Sequence, residues 1–139
     1  APPSVTPFHI DRENNFWLQV RGHKVMSVFD HTDRELVSAT DREKFILYGQ
    51  NVRMRDEAHL AKARAFPVGP GDGVYFPSTS PHMTRCEPVP GQDPVSISIG
   101  VVFYTEVTRR HAYVHAALAG RALVWRGKTW HGYKPTPSF

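Results

Sequence analysis

The chain is short of cysteine, of long apolar runs and of repeated sequence, and each shortage removes a class of protein. One cysteine, Cys86, stands among 139 residues, so no internal disulfide framework is expected and a reducing, cytoplasmic setting is favoured. No apolar run approaches the roughly 20 residues that cross a bilayer as a helix. No charged segment leads into an apolar one at the start, so neither a membrane anchor nor a secretory signal is expected. Internal repeats and low-complexity tracts are absent as well, which argues against a solenoid or a disordered tail. Basic residues outnumber acidic ones by 17 to 13, for a formal charge of +4. They are scattered, and no zinc-finger or RNA-binding signature accompanies them, so nucleic acid is not the expected partner.

What is present describes one globular domain. Hydrophobic residues make up 40% of the chain and aromatic residues 12%, while 12 Pro and 10 Gly divide it into short elements joined by turns. That composition fits a β-rich fold better than a helical bundle.

Val5 to Ile10 reads as a strand opening after Pro2 and Pro3, and Asp11 to Asn14 as a polar turn. Phe16 to Val20 and Lys24 to Phe29 are the next strands, joined at Arg21-Gly22-His23, and the shortest connection pairs them as a hairpin. Asp30 to Lys44 is charged and reads as a loop with a helical turn near Asp41, while Phe45 to Tyr48 fits a strand or a loop anchor. Arg55 to Ala65 has no breaker and suits a short helix. Val74 to Phe76 follows the Gly69 to Gly73 turn as a strand, and Val95 to Phe103 alternates before running apolar, as a strand with one buried face does. From Thr108 to Arg121 the pattern is helical, with Ala112, His115, Ala116, Ala119 and Leu123 near one stripe and Gly120 as its stop. Trp17, Tyr75 and Phe103 are expected in the core. The tail from Val124 to Phe139 holds two Trp and several basic residues, a composition suited to a packed arm or a homodimer interface.

Three residues carry the chemistry. In Thr6-Pro7-Phe8-His9-Ile10-Asp11 the period of a strand turns His9 and Asp11 to one face and Ile10 to the other. His82 follows the apolar strand at Val74 to Phe76 and the segment Pro77-Ser78-Thr79-Ser80-Pro81. Two imidazoles and one carboxylate make a facial set that leaves three coordination positions open, as non-haem Fe(II) oxygenases require. His23, His31, His59, His111, His115 and His131 lack such a context and are expected to be structural or exposed. His111 and His115 stand i,i+4 on the expected helix and could share a zinc ion, but no third ligand accompanies them.

Taken together, Val5 to Asp11, Asn15 to Lys24, Pro70 to Pro77 and Pro81-His82 resemble the cupin-like JmjC family of Fe(II)- and 2-oxoglutarate-dependent oxygenases. The resemblance covers residues 5 to about 104, nearest to the members that hydroxylate protein side chains. It implies a mainly β fold, a double-stranded β-helix (jelly roll or cupin) over residues 1–104, with residues 105–139 as a C-terminal helix and tail. It implies that His9, Asp11 and His82 hold Fe(II), and that Lys24, Thr6 and Asn15 bind the 2-oxoglutarate cosubstrate. A lysine facing a barrel interior is a costly charge unless an anion meets it, and a dicarboxylate supplies one.

Two departures from the family pattern stand out. Gly100 replaces a polar residue, often Asn, that faces the cosubstrate, and the strand and tyrosine that precede the His-x-Asp segment are absent. An eight-residue lead before His9 leaves three alternatives: a piece of a longer protein, an open sheet edge, or an edge covered by a second copy. The implied activity is hydroxylation of an aliphatic C–H in a protein or peptide substrate, with a small-molecule substrate also open. The alternatives are N-methyl-lysine demethylation and a non-catalytic metal-binding cupin that serves ligand binding or dimerisation. A cupin isomerase or a 2-oxoglutarate-independent dioxygenase ranks below these, since such proteins commonly carry more His ligands and no equivalent of Lys24.

Overall fold

The computed structural model describes residues 4–86, 91 and 95–125. Among them seven strands, two α-helices and one 3-10 segment occur in the order β1 (Val5–His9), β2 (Asn14–Arg21), β3 (Lys24–Val28), α1 (Ala39–Tyr48), the 3-10 segment Glu57–Lys62, β4 (Arg64–Val68), β5 (Gly73–Phe76), β6 (His82–Cys86), β7 (Ile97–Phe103) and α2 (Glu106–Trp125). The strands form two antiparallel sheets, β1-β6-β3-β4 and β5-β2-β7. The chain passes repeatedly from one sheet to the other, the winding of a jelly roll. The mainly β fold with a C-terminal helix agrees with the sequence. The second sheet is one strand shorter than the first.

Register determines what each face carries. On the inner face of β6, His82, Thr84 and Cys86 lie opposite Val28, Met26 and Lys24 of β3. Thr84 and His82 also lie opposite Thr6 and His9 of β1, where an irregularity between Thr6 and His9 adds a residue to β1. Pro7 sits in that bulge, where a missing N–H is tolerated. Across the core, Asn15, Trp17 and Gln19 of β2 share a face with Phe76 and Val74 of β5. Met26, Val68, Val74 and Phe76 are buried against one another with Trp17, Val28 and Phe66 around them, joining the two sheets.

The outer face of the four-stranded sheet is covered too. Ile10, Phe29, Leu36, Val37 and Val52 form a second cluster with Phe8, Phe45, Met54 and Met83. Ser38 caps α1 by accepting from the Asp41 N–H, and Gly49 ends it in the left-handed region. The outer face of the three-stranded sheet is different. Phe16, Val20, Tyr75, Ile97, Ile99, Val101 and Phe103 stay exposed on it.

Several sequence expectations are corrected here. Strands β2 and β3 do not pair as a hairpin: β2 bonds to β5 and β7, β3 to β4 and β6. Their inner faces meet across the core, so the turn at Gly22 transfers the chain between sheets. Gly22 has φ +68 and lies so close to Val95 that an added Cβ would stand 2.4 Å from its carbonyl oxygen. The charged segment before Tyr48 carries a ten-residue helix, α1, and the expected helix near 55–65 is the 3-10 segment Glu57–Lys62. Strand β6, which carries His82, had no counterpart in the sequence pattern. Tyr75 and Phe103, expected in the core, are 53% and 40% exposed on the outer face. Helix α2 runs through Gly120 to Trp125. The tail from 126 to 139 lies outside the described residues, as does His131. Among the described residues no helix is long and apolar enough to cross a membrane.

Candidate metal centre

His9 ends β1, and the chain continues through Ile10 and Asp11 toward β2. The strand stops two residues short of Asp11, yet the side-by-side placement survives because the Asp11 carbonyl accepts the Thr79 N–H at 2.8 Å. Ile10 points the other way into the outer cluster. His82 opens β6 directly opposite His9, and its ring packs 4.1 Å from the His9 ring and 4.4 Å from the Phe76 ring between centroids.

The candidate ligand atoms of His9, Asp11 and His82 all lie within 4.8 Å of one another, and among the described residues this is the one cluster of its kind. One ion with bonds of roughly 2.1 Å draws such a set together with small side-chain adjustments. His82 Nε2 is already 3.5 Å from Asp11 Oδ2.

Backbone carbonyls decide which ring nitrogen is free. His9 Nδ1 lies 2.7 Å from the Pro7 carbonyl oxygen, and His82 Nδ1 lies 3.0 Å from that of Ser80. In the neutral tautomer Nδ1–H donates to that oxygen and leaves the Nε2 lone pair for a metal. Burial pushes the His82 imidazole below its ordinary value, with His9 acting in the same direction and the Ser80 carbonyl and Asp11 opposing. A neutral His82 is the ligand form. The donor set therefore fits a divalent ion of the imidazole and carboxylate class.

The three residues expected to hold a cosubstrate lie in different relations to this centre. Asn15 is in direct contact, its Nδ2 donating to Asp11 Oδ2 at 3.0 Å. Thr6 lies on the inner face of β1 opposite Thr84, but it is exposed. Lys24 is half-buried on the inner face of β3, opposite Cys86. That position is two strand periods from His82, roughly 13 Å along the sheet. The Lys24 ammonium lies 5.7 Å from the centre of the Trp17 ring, and among the described residues it meets no carboxylate.

Residues that the sequence did not mark complete the surroundings. Phe76 packs on His82, Ser80 sets its tautomer, and Asn14 accepts the Ser78 N–H at 3.2 Å to hold the segment leading to β6. A Pro after several small polar residues was the only local signal for that segment. His111 and His115 bring no third ligand: His115 Nδ1 is 4.0 Å from Glu43 Oε1 on α1, and they form no ion-holding cluster among the described residues. No family model matches the chain, and no curated protein matches it either.

Proposed function

We propose that this protein is an Fe(II)- and 2-oxoglutarate-dependent oxygenase of the JmjC cupin type that hydroxylates an aliphatic C–H, foremost in a protein side chain. The observation that supports the reading is the gathering of ligand atoms of His9, Asp11 and His82 within 4.8 Å of one another, with a backbone carbonyl at Nδ1 of each imidazole. His9, Asp11 and His82 would hold the iron. Lys24 would take the distal carboxylate of 2-oxoglutarate and Thr6 would assist it. Bound iron and cosubstrate would activate O2, the oxidant of the reaction, with one oxygen atom going into the substrate C–H and the other into succinate as 2-oxoglutarate loses CO2.

The chain's own contribution is placement and exclusion of water. Phe76 and the buried row behind it hold the His82 ring in a dry setting, and the carbonyls of Pro7 and Ser80 keep both imidazoles oriented. Lys24 supplies a cation on the same inner face, its ammonium over the Trp17 ring. The single cysteine supports a reducing, cytoplasmic setting.

Gly100 favours a second reading, a metal-binding cupin without catalysis, because it offers no side chain toward a cosubstrate. Incubation with Fe(II), ascorbate and 2-oxoglutarate separates the two. Succinate formation, even slow and without substrate, supports the oxygenase. Bound metal without turnover supports the binding module.

A further inference from the structure

The Asn15 amide has one end satisfied and one end not. Its Nδ2 donates to Asp11 Oδ2 at 3.0 Å, while its Oδ1 is sealed from solvent and has no hydrogen-bond partner. The residue as a whole is 7% exposed. Turning the amide over would set Oδ1 against the Asp11 carboxylate, acceptor against acceptor, so Asp11 determines which way the amide points. A buried acceptor without a donor is rare in folded proteins and calls for a partner.

That partner is not supplied by the neighbouring strand. At Gly100 of β7 an added Cβ would stand 3.4 Å from Asn15 Oδ1 and meet nothing else within 4 Å. Phe76 and Val102, the cross-strand neighbours of Asn15 on its own face, have no side-chain donor to offer.

We propose that Asn15 is the positioning residue of the metal centre: its N–H holds the Asp11 carboxylate in place for the ion, and its Oδ1 is completed by the O–H of a water admitted with that ion. The proposal rests on the metal-centre reading of His9, Asp11 and His82 and changes the role expected of Asn15. An acceptor atom facing the missing side chain of Gly100 repels a carboxylate and selects a donor. Asn15 thus serves the ion, and the distal carboxylate of 2-oxoglutarate falls to Lys24 and Thr6.

The test is a Co(II) titration of the full chain against a competing chelator, followed by visible absorption, with thermal midpoints of the metal-free proteins measured alongside. Asn15→Ala is expected to bind Co(II) about 10- to 100-fold more weakly, while its metal-free midpoint is equal to or above that of the unaltered protein. Asn15→Leu, closer in volume and without a donor, is expected to do the same. Gly100→Ser places a protein hydroxyl beside Oδ1 and is expected to change the Co(II) absorption band. Unchanged affinity in both Asn15 variants, or a lowered metal-free midpoint with unchanged affinity, overturns the positioning role. An identical Co(II) band in Gly100→Ser overturns the water at Oδ1. Failure of the unaltered protein to bind Co(II) overturns the metal-centre reading itself.

Discussion

Asp11 Oδ2 stands 3.5 Å from His82 Nε2, an acid and a base brought together at a point where the base is held neutral by burial. In the proposed centre a cation would be the third partner of this half-buried carboxylate and buried imidazole at one end of the sheet.

The neutrality of His82 has a sign that can be measured. Its folded value lies below the ordinary 6.5, so just below that pH the unfolded chain binds a proton that the folded chain does not. Stability therefore rises with pH across this window and is lost as pH falls through 6.5 toward the folded value. Asp30, Asp33 and Asp41 are held below their ordinary 3.8, chiefly by hydrogen bonds from the side chains of Thr32, Lys62 and Ser38, and act in a lower window. Thermal midpoints of the metal-free protein between about pH 8 and about pH 5 are expected to decline on acidification. His82→Gln is expected to flatten that decline, and a midpoint that rises on acidification contradicts the assignment.

Lys24 is predicted to serve the cosubstrate and not the ion. Lys24→Ala is expected to weaken 2-oxoglutarate binding by roughly 10- to 100-fold, the worth of about 1.5–3 kcal/mol for a charged hydrogen bond. Metal affinity should be unaltered. Calorimetric titration of the metal-loaded protein checks both, and equal loss of metal and cosubstrate would show that the lysine acts through the fold.

Phe76 joins the core to the centre. It is 2% exposed and packs on the His82 ring, so Phe76→Ala is expected to cost about 3–5 kcal/mol of stability. Chemical denaturation measures the loss. Phe76→Leu is expected to keep the fold and lower metal affinity by loosening His82, whereas full affinity in that variant would show that His82 is held without the ring.

The bare outer face of β5-β2-β7 predicts a tendency to self-associate that is independent of the metal centre. Val101 is 50% exposed there, opposite Phe16, on an edge strand without a charged residue. Val101→Lys is expected to reduce association in sedimentation velocity and leave metal binding intact. Association that persists unchanged would place the contact elsewhere.

The juxtaposition of His9 and Asp11 was legible in sequence because its information is local. His9 and Asp11 are two residues apart, and His82 follows a Pro-Gly-Asp turn and an apolar strand. The pairing of β2 was not legible: a tight turn at Gly22 looks the same whether the next strand stays in its sheet or crosses the core. Tyr75 and Phe103 were misplaced for a related reason. The alternation of β7 reads as an apolar face buried and a small, polar face outside, whereas its register with β2 turns Ser98, Gly100 and Val102 inward and leaves Ile97, Ile99, Val101 and Phe103 exposed. The contact between Asn15 and Asp11 depends on how β2 meets the end of β1, which no spacing encodes. Chain length and a Pro after small polar residues gave β6 no pattern of its own.

The most direct measurement is an anomalous-scattering map at the iron edge from crystals grown with Fe(II) and 2-oxoglutarate. A single peak within roughly 2.1–2.3 Å of His9 Nε2, His82 Nε2 and one Asp11 oxygen, with the dicarboxylate running toward Lys24, is the expected result. A peak that omits His82, or iron bound elsewhere with these three side chains unliganded, would contradict the metal centre and the function built on it.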